Sequence, residues 1–151
     1  MASSAAGAFV PTSIVAPTVV AKAVNIRGGA IMTNEQYVKT TSGIFGFYAL
    51  QMILAPKKLV DDHFEGEATD MDAFAWRGHG VTSAALAYSL WINAGADMSK
   101  TLSLAWMTGI ALAYPLNAKF NILGNYKVKY PMHYVPEVLM TSMIALGFLS
   151  Q

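Results

Sequence analysis

The feature that most constrains this chain is the clustering of its charges into a few short segments. Four long stretches are left with almost no charge, at residues 40–56, 73–95, 100–119 and 131–150. A helix needs about 20 predominantly apolar residues, within a range of about 17–25, to cross the hydrocarbon core of a bilayer. We therefore predict an all-α integral membrane bundle of four transmembrane helices, formed by a single domain at residues 31–151.

A water-soluble helical bundle is the alternative to a membrane domain. The helices of a soluble bundle carry charged residues along the face that is turned to water. Residues 80–96 carry no charge on any face, and only 13% of the whole chain is charged, whereas soluble domains are typically about 25% charged. A membrane bundle, in which each helix satisfies its own backbone hydrogen bonds, accounts better for this pattern.

Two features of the apolar stretches predict how the helices pack. Small residues recur at spacings of three or four, as is common where membrane helices approach closely. One such face contains Gly80, Ala84 and Ala87, and another contains Ala105, Gly109 and Ala113. Pro115 interrupts the third stretch, so we expect a kink there.

The first 30 residues have the composition of a targeting segment. Residues 1–30 are rich in Ala, Ser, Thr and Val, their only charges are Lys22 and Arg27, and the first acidic residue of the chain is Glu35. Basic, hydroxylated and acid-poor segments of this kind are typical of organelle transit peptides. The alternative is an ordinary disordered N-terminus.

An acidic loop at residues 57–72 joins the first two apolar stretches. It carries six carboxylates together with His63. Carboxylates at short spacing can bind a divalent cation, although the alternating ligand pattern of an EF-hand is missing. Other interpretations are a solvated loop that joins two helices in water, or a docking surface for a basic partner.

The candidate functional residues of this chain are single polar residues within or beside the apolar stretches. Polar residues at such positions are often functional. A neutral imidazole can be the axial ligand of the magnesium of chlorophyll, and so can the side-chain oxygen of Asn, Gln or Glu. The candidate pigment ligands are His79, His133, Glu137, Asn93 and Gln51. Haem remains open if His79 and His133 face each other, and plain helix packing is the other interpretation of His79.

Several classes of function are excluded or unsupported. The sequence contains no nucleophile elbow, phosphate-binding loop, zinc-protease motif or dinucleotide fingerprint. A zinc site needs three or four ligands, and the three histidines are too few without carboxylates. A net charge of +1 lacks the excess of positive charge that is typical of nucleic-acid-binding proteins. We predict no catalytic residues and no dedicated metal site.

The segment "GAFVP" around Phe9 is similar to the phenylalanine motif in plastid presequences of red algae and of algae with red-derived plastids. Followed by a small multi-helix membrane domain, it resembles the nucleus-encoded thylakoid accessory subunits of photosystem–antenna supercomplexes in these algae. The resemblance implies a multi-pass protein of the plastid thylakoid membrane that links core and antenna subunits, contacts lipid and binds chlorophyll, with carotenoid as a second pigment. It does not resemble a light-harvesting protein, because the paired-helix motifs with crossing Glu and Arg are missing.

The stretch "RGHGVTSAALAYSLW" supports a second resemblance. With the four-stretch pattern, it is similar to small four-helix membrane proteins of the DoxX type. That resemblance implies redox or small-molecule handling, with Arg77 and His79 lining one polar pocket.

Overall fold

The computed structural model describes residues 31–124 and 127–151. Within these ranges the chain is helical, and its only extended pairing is one isolated bridge between Phe64 and Val128. The prediction of an all-α fold is therefore confirmed. The predicted transit peptide, residues 1–30, lies outside the described residues.

Six helices make up the described chain: α1 (Asn34–Leu54), α2 (Pro56–His63), α3 (Asp70–Ile92), α4 (Asp97–Ala113), α5 (Pro115–Phe120) and α6 (Tyr134–Leu149). The four long helices correspond to the four apolar stretches, and α1 begins six residues before the predicted residue 40. The third stretch is divided into α4 and α5 at Tyr114, directly before Pro115, where the sequence predicts a kink. Helix α2 occupies much of the segment that was predicted to be an acidic loop.

Local sequence accounts for the helix boundaries. Thr33 and Thr69 each form a capping box, with Gln36 at the start of α1 and with Asp72 at the start of α3. Such boxes satisfy backbone N–H groups that the first turn leaves unpaired. Helices α2 and α5 instead begin with proline, which is favoured at the first helical position because its missing N–H has no helical partner there.

Helix α1 is central to the packing, and α3 lies along it at close range. The buried positions of α3 recur every three or four residues and are mostly small: Ala73, Gly80, Ser83, Ala87 and Leu90. A side chain at Gly80 would stand 2.9 Å from the side chains of Met52 and Ile53 and 3.0 Å from the carbonyl oxygen of Ala49. The close approach of α1 and α3 therefore depends on this glycine.

The small-residue face predicted on α4 turns outward. Ala105, Gly109 and Ala113 are exposed, and α4 instead buries Ser99, Ser103, Met107 and Ala111. The buried face of α4 is set by its packing against the other helices, which includes the stacking of Trp106 on Phe45 of α1 at a ring-centroid distance of 3.8 Å.

In the described ranges, none of the helices combines the length and the apolarity that crossing a membrane requires. Helices α4 and α6 have only 17 and 16 residues, and the longer α1 and α3 contain polar residues along their length. The lengths and compositions of the described helices therefore do not support the prediction of four transmembrane helices.

The surface of the bundle is nevertheless rich in large apolar side chains. They occur on all four long helices, and several are more than 70% exposed, namely Leu54, Met71, Phe74, Met98 and Phe148. Much of the interior is built from small and hydroxyl-bearing residues instead, including Ala49, Ala87, Ala111, Thr41, Ser83 and Ser103. Large side chains such as Tyr37, Phe45 and Met107 are also buried, so large apolar groups occur both inside the bundle and on its surface.

The bundle has two chemically different ends. At the first, which we name the terminal end, the starts of α1 and α4 meet the end of α6. The Lys100 ammonium donates a hydrogen bond to the Ser150 carbonyl, and the Ser150 hydroxyl donates one to the Asn34 side chain. At the second, which we name the charged end, lie α2, α5, the start of α3 and the start of α6. The Lys129 ammonium there donates to the carbonyl of Asp61.

Candidate functional site

The interior contains an apolar cavity near the charged end, with a volume of about 170 Å³. Its lining includes residues of α1, α3 and α4, and α3 packs on α1 rather than along α4, although only a short turn joins α3 to α4. Its lining is mainly aromatic and aliphatic, and its polar groups belong to Tyr48, Ser83, Tyr114 and the candidate ligand His79. The cavity volume suits a substituted six-membered ring or a bent acyl chain rather than a whole pigment.

His79 lies at the boundary between this cavity and the outer surface. It borders the cavity and also a shallow outer depression that it shares with Ala75 and Trp76. The Trp76 ring meets the imidazole edge-on at 6.1 Å between ring centroids. The imidazole is exposed and forms no hydrogen bond with the described residues, so a nitrogen atom is available to an external ligand.

The two glycines beside His79 have different roles. A side chain at Gly78 would meet nothing within 4 Å, whereas one at Gly80 would collide with α1. Gly80 therefore makes room for a helix rather than for a ligand of the imidazole.

Arg77 does not share a pocket with His79. Its side chain lies over the end of α1, where Nε is 3.4 Å from the Ile53 carbonyl oxygen, and it borders a surface depression with Lys57 and Asp70. Asp70 pairs with Lys57 at 2.7 Å. The single polar pocket implied by the DoxX-type resemblance gains no support from this geometry.

His133 and Glu137, two further candidate ligands, are buried together at the charged end. Glu137 accepts hydrogen bonds from Lys119 at 2.5 Å and from Tyr130 at 2.8 Å, one at each carboxylate oxygen. His133 is fully buried, and its Nε2 lies 3.5 Å from the carbonyl oxygen of Pro115 and 4.0 Å from Glu137. Protein groups therefore surround both side chains, and a pigment could reach neither without repacking.

His63 joins this cluster, although sequence reasoning placed it in a solvated loop. It is 5% exposed at the end of α2, and its ring meets that of His133 at a centroid distance of 6.0 Å. Burial lowers the pKa of both imidazoles, and for His63 the neighbouring His133 lowers the pKa further. Both rings are consequently neutral at physiological pH. The sequence signal was the amphipathic run "PKKLVDDH", which forms α2 and buries its last residue.

Gln51 and Asn93 occupy different places. Gln51 is half-buried on α1 and borders an open apolar groove of about 420 Å³ between α1 and α6, which His63 also borders. Asn93 ends α3 at the terminal end, where its amide donates to the Ser89 carbonyl. The five candidate ligands therefore do not form one site; they divide into the His133–Glu137 cluster, the groove, the cavity wall and the opposite end.

The carboxylates of residues 61–72 support local structure. Asp61 accepts from the Ala68 backbone, Asp62 pairs with Lys58, and Asp72 caps α3. Among the described residues, no group of three or more His, Cys, Asp or Glu side chains is arranged to hold a metal ion.

Comparison of the chain with protein-family models, with curated proteins and with solved structures gives no match. The interpretation of the site therefore depends on its geometry.

Proposed function

We propose that the protein is a non-catalytic accessory subunit of a plastid photosystem–antenna supercomplex, seated in the thylakoid membrane, where it fills space between core and antenna subunits and ligates chlorophyll. The observation that carries the proposal is the apolar outer surface. Exposed Phe74, Val81, Leu102 and Phe148 lie on three of the four long helices. Monomeric soluble proteins rarely expose contiguous apolar patches larger than a few hundred Å².

The interior supports the same proposal. Membrane helices associate through small residues that let backbones approach, since lipid offers no hydrophobic drive for burying large side chains. Gly80 at the contact of α1 and α3 meets this description. So does Gly147 of α6, where a side chain would stand 2.6 Å from the ring of Tyr37.

The lengths of the helices favour a subunit of a larger assembly over a protein alone in lipid. Helices α4 and α6, with 17 and 16 residues, extend about 26 and 24 Å at 1.5 Å per residue, whereas the hydrocarbon core is about 30 Å thick. Non-helical backbone at that depth is tolerated only where protein covers it. The proposal therefore requires neighbouring subunits at the ends of these two helices.

Pigment ligation is supported by the available nitrogen of His79 at the apolar surface. A single axial ligand beside a flat apolar wall is sufficient, and Trp76 supplies such a wall. Gln51, on the α1–α6 groove, is the second open position. Glu137 is less suited, because both of its oxygens already accept hydrogen bonds.

The test is isolation of the tagged protein from its native thylakoids. After an alkaline carbonate wash and mild detergent, we expect it to stay with the membrane fraction and to migrate on a native gel with a chlorophyll-containing photosystem–antenna band. Release by carbonate, or migration only as a small colourless species, would contradict the proposal.

A pair of variants tests whether the apolar surface is responsible. Val81→Lys places a charge on an exposed apolar position of α3, and Glu65→Lys introduces the same side chain in an exposed loop. A charge at membrane depth costs about 2.5–3.5 kcal/mol on insertion scales, so Val81→Lys should reduce the fraction found in the supercomplex. Equal incorporation of both variants would count against the proposed role of this surface.

A further inference from the structure

The central cavity, of about 170 Å³, has no part in the proposed accessory role. An engineered apolar cavity of about 150 Å³ in another protein binds benzene, so a six-membered ring fits a space of this size. The lining includes four aromatic side chains, those of Phe45, Tyr48, Trp76 and Tyr114. Aromatic walls favour a flat ring, because such a ring can pack against their faces or edges at close range.

Ser83 of α3 brings a buried, unpaired hydroxyl to this cavity. Its side chain is 4% exposed and borders the cavity. The hydroxyl makes no hydrogen bond within the part of the chain that the structure describes, and unlike the hydroxyl of Ser103 it is not fully enclosed. Buried polar groups in native proteins are rarely left unpaired. A ligand that accepts a hydrogen bond inside the cavity would therefore satisfy Ser83.

The other polar groups of the lining indicate a neutral ligand. The phenols of Tyr48 and Tyr114 both border the cavity and are close enough to interact electrostatically. His79 lies where the cavity meets the outer surface. Among the described residues, no Asp, Glu, Lys or Arg side chain borders the cavity. A charged ligand would lose its hydration there without gaining an ion pair, whereas a neutral ring with an oxygen acceptor would not.

The cavity can be entered between α3 and α4, which do not pack along each other. Trp76 and His79 of α3 line the cavity and also border a shallow depression on the outer surface. On the α4 side the lining includes Ala113, which is exposed. A ring bound inside can therefore carry a hydrocarbon tail that leaves between the two helices, toward the apolar outer surface of the bundle.

Other occupants match the lining less well. A lipid acyl chain fills the volume but leaves the Ser83 hydroxyl unpaired. Water can pair with that hydroxyl, but an ordered water needs two to four polar partners, and most of the lining is apolar. A flat ring with a carbonyl oxygen satisfies both the aromatic walls and the hydroxyl.

We infer that the cavity binds a neutral conjugated cyclic ketone, whose carbonyl oxygen accepts a hydrogen bond from the Ser83 hydroxyl and whose ring packs among the aromatic side chains of the lining. The inference goes beyond the proposed function and does not depend on it, because the cavity alone carries it. A quinone head group and the keto-substituted end ring of a carotenoid share this chemistry, and the second experiment below distinguishes them.

The first experiment compares two probes that differ only in the carbonyl oxygen. Cyclohexenone carries this oxygen, and methylenecyclohexene has a methylene group in its place with almost the same shape. The chain contains no cysteine, so the conjugated ketone cannot react with a protein thiol. Equilibrium dialysis of the full chain in mild detergent gives the dissociation constant of each probe for the wild-type protein and for Ser83→Ala under identical conditions.

We expect Ser83→Ala to bind cyclohexenone about fivefold more weakly, as for the loss of one typical hydrogen bond, and to bind methylenecyclohexene as the wild-type protein does. The variant should keep its melting temperature, because the hydroxyl that it removes has no partner within the described residues. An equal change for both probes, no change for either, or no binding of cyclohexenone to the wild-type protein overturns the inference.

The second experiment blocks the cavity without touching Ser83 and identifies the natural ring. Ala113 and Ala105 are both exposed alanines of α4, but only Ala113 borders the cavity. Each is replaced by phenylalanine in the full chain, and the proteins are purified from their native cells in mild detergent. Chromatography of the extracted lipids then separates a quinone, which absorbs in the ultraviolet, from a keto-carotenoid, which absorbs in the visible.

We expect the wild-type protein and Ala105→Phe to carry one conjugated ketone per polypeptide and Ala113→Phe to lose it. Equal ketone content in the two variants, or none in the wild-type protein, overturns the inference. If the ketone is present but the protein migrates alone on a native gel, the inference stands and the accessory role fails. If the protein migrates with the supercomplex without a ketone, the accessory role stands and the inference fails.

Discussion

The α1–α3 contact and the charged end hold helices together by opposite means. Along α1 and α3 the helices approach through small residues, and Gly80 lies against the carbonyl of Ala49 with no space for a side chain. At the charged end, long side chains converge instead, and Glu137 connects α6 to Lys119 of α5 and to Tyr130. Backbone proximity stabilises the first region, and directed polar contacts stabilise the second.

This difference accounts for where ligands can enter. At Gly80 the two helices are in direct contact, and no space for a side chain is left there. Where large aromatic and polar side chains hold the helices apart, the bundle has both the central cavity and the α1–α6 groove. The candidate ligand His79 borders the cavity, and the buried His63 borders the groove.

Breaking the polar contacts of the charged end should have the largest effect on stability. Glu137→Ala removes a carboxylate that is 5% exposed and leaves Lys119 and Tyr130 without their acceptor. Removing one partner of a buried polar contact leaves the remaining groups unpaired, so we expect a larger loss of stability than for any variant described below. Thermal unfolding in mild detergent, followed by circular dichroism, measures the effect. A loss below about 1 kcal/mol would mean that water already shares these contacts.

Adding one methyl group at the α1–α3 contact should have the next largest effect. The new carbon in Gly80→Ala would stand 2.9–3.0 Å from α1 and force the two helices apart. Overpacking of this kind costs about 1–3 kcal/mol. Gly78→Ala is the matched control, since its added carbon meets nothing within 4 Å, and alanine should stabilise that turn of helix by up to about 1 kcal/mol. Equal melting temperatures for the two variants would refute the close contact.

The comparison of the α1–α3 contact with the charged end also explains how much of the fold could be predicted from the sequence. The four apolar stretches correspond to the four long helices because charge placement and capping residues such as Thr69 act locally. The sequence did not indicate which of the two small-residue faces would be buried. Gly80 faces α1, whereas Gly109 of the equally plausible face on α4 is exposed. That choice depends on how whole helices pack, which no local pattern contains.

The candidate site was predictable only in part. His133 and Glu137 are four residues apart, a spacing that puts two side chains on one face of a helix, and the structure brings them to 4.0 Å from each other. Their partners Lys119 and Tyr130, and the ring of His63, come from separate segments whose meeting no local pattern predicts. The pairing of Lys57 with Asp70 was not predictable either, because it depends on how α2 packs beside the start of α3.

Two buried serines of α4 allow a hydrogen-bonded side chain to be compared with one that has no partner, with a smaller expected effect on stability. Ser99 donates to the Asn93 carbonyl at 2.6 Å and fastens the turn between α3 and α4, whereas the hydroxyl of fully buried Ser103 has no partner among the described residues. A typical hydrogen bond contributes about 1 kcal/mol, and removing an unsatisfied group can be neutral or stabilising. Ser99→Ala should therefore lower the free energy of unfolding by about 1 kcal/mol, and Ser103→Ala should leave it equal or higher. A greater loss in Ser103→Ala than in Ser99→Ala would reverse these assignments.

The smallest expected effect is a loss of stability at acidic pH that arises at the charged end. A hydrogen bond from Lys57 lowers the pKa of Asp70, and hydrogen bonds from Thr69 lower the pKa of Asp72. A carboxylate whose pKa is lower in the folded than in the unfolded chain contributes stability that is present above the unfolded value, about 3.9 for Asp, and is lost as the pH falls through the folded value. The melting temperature should therefore decrease on acidification below about pH 4.

In the double variant Asp70→Asn/Asp72→Asn this decrease should be smaller, because neither side chain can then be protonated. Gly80→Ala should behave differently, since its cost arises from steric overlap and not from charge. We expect its melting curve to be shifted by a similar amount at pH 7 and at pH 3.5. A change of the pH profile in Gly80→Ala like that of the double aspartate variant would mean that the two regions are coupled through the start of α3. The α1–α3 contact and the charged end would then not be stabilised independently of each other.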